Sequence, residues 1–149
     1  MPSIFDGSRR AEINSRLDKL TPEHRGAFGR LTVGKMACHL YDGVRGSLGE
    51  NPSPLLGKFG PLRPVLALLM IDVLPWPKGK AKTVREMLST EPGELTADVA
   101  RLKLLLERVA SADSSTQWGI HPLFGVLSRA QWGRLVWRHV DYHLQQFGV

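Results

Sequence analysis

Leu95, Val99, Leu102, Leu106 and Val109 recur at alternating four- and three-residue steps. That spacing commits the stretch to a helix with a single apolar seam, which must be laid against other helices. The same period governs the rest of the chain. Ile13, Leu17 and Leu20 predict a first helix over residues 9–20, with Ser8 as its N-cap. Thr32 caps a second, running to about Leu48. In "SRAQ" Ser128 and Gln131 stand three apart and read as a capping box opening the last helix. Between the second and third helices Pro52, Pro54, Pro61, Pro64, Pro75, Pro77 and Pro92 punctuate a long connection, with room for one apolar helix between Pro64 and Pro75. A connection of that length is uncommon as bare loop. No strand alternation, repeat or low-complexity segment competes. The expected class is all-α: a four-helix bundle with a long crossover between helices 2 and 3 carrying a short extra helix.

The 149 residues suit one domain over 1–149, large enough for a substantial core. Cys38 is the only cysteine, which excludes an internal disulfide framework. The longest apolar run, Val65 to Leu74, contains Asp72 and is too short to span a bilayer, which takes about 20 residues. The N-terminus lacks the basic start and apolar core of a signal peptide, so a cytoplasmic protein without membrane contact is expected. A net charge of +6 suits nucleic acid, an acidic surface or an anionic small molecule alike. The stretch "PWPKGKAK", Pro75 to Lys82, holds one aromatic and no repeating basic face; it reads as a solvated loop, and no nucleic-acid partner is expected.

Histidines supply the chemistry. With Trp132 at zero on the last helix and steps of about 100°, His139 falls near −20°, His143 near +20°, Val136 near +40° and Gln146 near −40°. Arg134, Arg138, Asp141 and Gln145 take the far side. Both rings therefore face the bundle interior. A buried imidazole must hydrogen-bond through its nitrogens or bind something. Either both are core histidines with protein partners, or they aim at one metal ion as helical i, i+4 pairs do. A third ligand would come from His24, His39 or His121. His24 sits in the polar "TPEHRG", and His121 precedes a proline in an extended or turn segment near the bundle mouth. His39 lies on the second helix, roughly 100° from the arc of Val33, Met36, Leu40 and Val44, on its flank beside Gly43 and Gly46. Those glycines leave room for a ligand or allow close helix contact.

Three segments, "GRLTVGKMACHLYD", "LPWPKGKAKTVREM" and "HPLFGVLSRAQWGRLVWRHVDYHLQQFGV", together resemble a branch of the DinB/YfiT-like superfamily, from about residue 28 to the end. The resemblance implies a DinB-like four-helix bundle and a divalent metal, zinc or nickel, held by His39, His139 and His143. It also implies a small-molecule substrate, since superfamily relatives include thiol-dependent transferases and an isomerase using a low-molecular-weight thiol. The sequence departs from the branch pattern in two places. Tyr142 replaces a histidine, nearly 100° round the helix from His143, and "KAKTVRE" follows "PWPKG" where the branch has a different, less basic run.

Three neutral imidazoles leave the charge of a dication undiminished, so water or a thiol beside it is acidified. No HExxH is present, and no glutamate stands at metalloprotease spacing. Asp42, one turn beyond His39, is the candidate catalytic carboxylate, to orient that ring or act as a base; its alternative is a solvated helix aspartate. Asp141 points away. Without an obvious base, thiol activation fits better than peptide hydrolysis; the resemblance implies a low-molecular-weight thiol as the co-substrate. Trp118, Trp132 and Trp137 read as packing residues, Trp132 also as a pocket wall, and Cys38 as a small buried hydrophobe. The rival reading is a metal-free bundle that binds an apolar ligand or a partner with the Pro61–Pro77 segment as lid or docking surface. A homodimer through a bundle face is compatible with either.

Overall fold

The computed structural model describes residues 1–57, 59–79 and 83–149, and its fold is all-α. Five α-helices run α1 (Gly7–Leu17), α2 (Val33–Ser47), α3 (Arg63–Leu68), α4 (Leu95–Ala110) and α5 (Arg129–Gln146). Thr32 caps α2 by accepting from the Lys35 N–H, and Ser128 and Gln131 form the capping box of α5 as expected. At α1 the cap is Asp6, whose carboxylate accepts from the Ser8 and Arg9 N–H groups. Ser8 is inside the helix and donates its own hydroxyl to Asp6, so the expected cap and the 9–20 boundaries are corrected. A carboxylate at the positive end of the helix is the better competitor for those orphan N–H groups.

α5 packs against α1 and α2, and α4 against α2. Side chains close the remaining seam: Arg10 meets Glu107 at 2.9 Å and Lys103 meets Asp18 at 2.7 Å, joining α1 to α4. The expected seam of α4 is buried at Val99, Leu102, Leu106 and Val109, facing Met36, Leu40 and Val44 of α2 across one continuous core. The far side of α5, whose polar residues suggest a solvent face, meets solvent at Gln145 but is otherwise packed against neighbours. Asp141 pairs with Arg16 of α1 at 2.7 Å, and Arg134 with Asp72 of the crossover at 2.6 Å. Arg138 donates to the carbonyls of Ile71 and Leu74. The polar face thus holds two neighbours in register.

The crossover occupies the described residues between α2 and α4. It carries α3, led in by a 3-10 turn at Gly60–Leu62 and continued by one wider π turn at Leu69–Val73, where the Leu74 N–H reaches back to the Leu69 carbonyl. A strap, residues 83–92, contains a second 3-10 turn at Arg85–Leu88 and lies along α2. Between α4 and α5 a two-residue pairing joins β1 (Ile120–His121) to β2 (Gly125–Val126), a small sheet that no alternation announces. Residues 80–82 of the basic run expected as a loop lie outside the described residues.

Candidate metal centre

α2 and α5 bring His39, His139 and His143 together: one nitrogen from each lies within 4.8 Å of the others. The rings form a near-regular triangle, with centroids 4.9, 4.9 and 5.0 Å apart. His39 and His143 are buried; His139 keeps some accessible surface in the adjoining cavity. The flank position of His39 on α2 is no surface, because the strap covers it. Gly43, one turn on, makes room at close range: a Cβ there would stand 3.4 Å from the His139 ring. Gly46 faces the Asn51 carbonyl instead.

Two rings have their tautomers set by acceptors. The Met87 carbonyl lies 3.0 Å from His39 Nδ1 and can only accept, so that nitrogen carries the proton and Nε2 presents its lone pair inward. Gln146 Nε2 donates to the Phe28 carbonyl, which turns Gln146 Oε1 to His143 Nδ1 at 2.7 Å. His143 Nδ1 is therefore the donor, and its Nε2 lone pair has no hydrogen-bond partner among the described residues. Gly29 (φ 77°) brings the backbone so near that a Cβ there would lie 2.7 Å from the Gln146 amide nitrogen, which only glycine tolerates. His139 Nε2 faces His39 Nε2 at 3.0 Å, and its Nδ1 has no hydrogen-bond partner among the described residues. Because His39 Nε2 presents a lone pair, His139 Nε2 carries the proton and donates to it in the metal-free protein, and it becomes a ligand only once that proton passes to Nδ1.

Burial holds all three rings neutral. Desolvation lowers His39, against the Met87 carbonyl and the Asp42 charge; it lowers His139 well below the ordinary value, assisted by the other histidines. It brings His143 to about 4, His39 adding to the shift and Gln146 opposing it. Neutral imidazoles suit a metal site, and at His39 and His143 the outer nitrogen already donates to an oxygen acceptor, as metal-bound histidines do. Two metal–imidazole bonds of about 2.0–2.1 Å span roughly 4 Å, so a cluster no wider than 4.8 Å needs only small rotamer adjustments. The donor set fits a borderline dication such as zinc or nickel.

The candidate carboxylate has another task. Asp42 is fully buried, not solvated, and makes no hydrogen bond to His39. Its oxygens accept from the Thr90 N–H at 2.8 Å and hydroxyl at 2.6 Å, with Arg45 at 3.8 Å. It fastens the strap, and the strap carries Met87. In this arrangement Asp42 acts on the site through the strap, and neither of its oxygens hydrogen-bonds a ring of the cluster. Asn51 reinforces the same junction by donating to the Glu86 carbonyl at 2.8 Å.

The triangle opens on a cavity of about 970 Å³, walled by Met70, Trp76, Met87, Phe124 and Trp132. Its size suits a small molecule. His121 lines it too but stands outside the cluster. Its Nδ1 accepts from the Leu123 and Phe124 N–H groups at 3.2 and 3.1 Å, its ring stacks on Phe124, and desolvation brings its pKa to about 4. His121 therefore offers the cavity wall a neutral Nε2–H donor. Tyr142, where the branch pattern has histidine, accepts from the Gly79 N–H and donates to the Pro77 carbonyl, both at 3.1 Å. It ties Pro77 and Gly79, midway along the crossover, to α5. Trp76, missed from the sequence, tilts against His139 at 6.0 Å and donates to the Met70 carbonyl. His24 is bonded to Thr21 away from the site. Cys38 is buried as expected, but its thiol donates to Asp98 at 3.7 Å, and burial raises its pKa to about 11. No helix among the described residues is long and apolar enough to cross a membrane.

No curated protein and no solved structure matches the chain. Residues 9–148 match the family described as Protein of unknown function (DUF1569), and the chain belongs to that family.

Proposed function

We propose that this DUF1569-family chain holds a divalent transition metal, zinc or nickel, on His39, His139 and His143 and acts with it on a small molecule in the adjoining cavity. One observation carries the reading: three neutral imidazoles converge, two of them with inward lone pairs set by Met87 and Gln146. The DinB/YfiT-like resemblance supports it from the sequence side. When bound, the dication supplies Lewis acidity, which favours the deprotonated form of a thiol or water beside it. The chain's own residues do the rest. Met87 and Gln146 hold the rings, while Trp76 and Trp132 wall the cavity. His121 presents a donor to an acceptor atom of the substrate. No carboxylate is hydrogen-bonded to the three rings among the described residues, and this favours thiol-dependent transfer with a low-molecular-weight thiol over hydrolysis.

Cobalt(II) substitution tests the reading. The reconstituted protein should show visible d–d absorption of low coordination number, lost in His139→Ala. Adding a low-molecular-weight thiol should produce a sulfur-to-cobalt charge-transfer band. Absence of the d–d signal in wild type overturns the metal reading, and its presence without a thiol response overturns the thiol reading alone.

The apolar cavity wall favours one rival, a metal-free module for an apolar ligand. That rival expects a fluorescent apolar probe to bind wild type and His139→Ala equally, and neither to take up cobalt.

A further inference from the structure

The cavity beside the three histidines has two ends, because α2 and α5 run past each other in opposite directions. At one end the Ala27 N–H donates to the Gln146 carbonyl, and Arg30 and Lys35 line the cavity around the start of α2. Glu91 lines it there too, beside Pro92, which packs on Gly34. At the other end the Gly119 N–H donates to the Ser47 carbonyl, which seats β1 and His121 by the end of α2. The His121 ring there meets Trp132, which stands on α5 seven residues before His139. Seven helical residues rise about 10 Å, so His121 and the triangle face different parts of one bound molecule.

The wall at the His121 end holds donors without acceptors. His121 Nδ1 is occupied by the Leu123 and Phe124 N–H groups, so the ring's proton is fixed on Nε2. Nε2 has no partner among the described residues, and it keeps accessible surface where the ring lines the cavity. The indole N–H of Trp132, its ring 5.7 Å away, is buried and also has no partner among the described residues. Unpaired donors of this kind are uncommon and mark a place where an acceptor is missing. The surroundings select the acceptor's charge. The His121 ring stacks on Phe124 at 4.4 Å, and burial lowers its pKa to about 4, so this wall disfavours charge. A carboxylate placed there would lose its hydration and gain no cation from His121. A carbonyl oxygen accepts the same hydrogen bond without carrying a charge. We propose that the His121 end is a subsite for a neutral carbonyl, so that the substrate is an apolar molecule whose ketone, ester or amide oxygen accepts from His121 Nε2, remote from the metal. The inference deepens the small-molecule reading of this cavity and rests on it.

Three probes of one shape test it: benzylacetone, a ketone; hydrocinnamate, its carboxylate counterpart; and isopentylbenzene, which has no acceptor. Each is titrated against Nile red bound to the full chain, metal-free and cobalt(II)-loaded. Replacing His121 with Phe should weaken benzylacetone about 5- to 100-fold and leave isopentylbenzene within about threefold. His121→Asn keeps an acceptor for the Leu123 and Phe124 N–H groups but is too short to reach the Nε2 position, so it should give the same pattern with the turn intact. Benzylacetone should leave the d–d spectrum of the cobalt protein unchanged. Equal losses for ketone and hydrocarbon, no loss for the ketone, or no displacement by it overturn the proposal. Hydrocinnamate binding more tightly than benzylacetone overturns it in favour of an anion site, and a ketone-induced change at cobalt places the carbonyl on the metal instead. Failure of the metal reading is separate: it appears as absent d–d absorption, while the His121 pattern is still read in the metal-free protein.

Discussion

At the scale of residues, Gln146 does for His143 what the Met87 carbonyl does for His39. Its amide is oriented by the Phe28 carbonyl, so the acceptor end meets the ring. Gln146→Leu should leave a buried imidazole N–H unpaired and weaken zinc or nickel binding 10- to 100-fold, measured by competition with a chromogenic chelator. Equal affinity would mean that the glutamine is mere packing. Gly43 yields a steric counterpart. Gly43→Ala sets a Cβ at ordinary contact with His139 and should stabilise α2 by about 0.5–1 kcal/mol. Gly43→Leu should displace the ring and lower metal stoichiometry while the helix persists, as metal analysis beside circular dichroism will show. The HxxxH pair was legible because its spacing is local. Gln146 had a signal as well, an amide on the apolar arc three residues after a buried histidine. Asp42 had none: its partner Thr90 is 48 residues away, and no local pattern distinguishes a buried carboxylate from a solvated one.

Among the elements, the four long helices and the crossover could be read from periodicity, caps and prolines, because those signals act within a few residues. What the connections do could not. The strap covers His39 only because Asp42 and Asn51 hold it, and the pairing of β1 with β2 spans too few residues to show alternation. The strap link predicts a measurable cost. Thr90→Val removes the hydroxyl bond to a buried carboxylate and should destabilise the fold by about 1–3 kcal/mol in urea. It should also loosen Met87 from His39 and weaken metal binding. Lost stability with unaltered metal affinity would separate the strap from the site.

For the whole molecule, the buried neutral histidines tie stability to pH. His121 and His143 titrate near 4 in the folded chain and near 6.5 when unfolded. Protonation therefore favours the unfolded state. Stability of the metal-free protein is full above about pH 6.5 and is lost as pH falls through that value towards 4. The urea midpoint should drop over this window, and less steeply in His121→Phe. A flat midpoint would place these rings in water. A metal bound only by the folded chain should raise stability by about 2.7 kcal/mol at a hundredfold excess over its dissociation constant. The most direct measurement is elemental analysis of untagged protein purified without chelators, beside His143→Ala. The account predicts near-stoichiometric zinc or nickel in wild type and its loss in the variant with the helical signal intact. Metal absent from both after reconstitution, or equal in both, would contradict it.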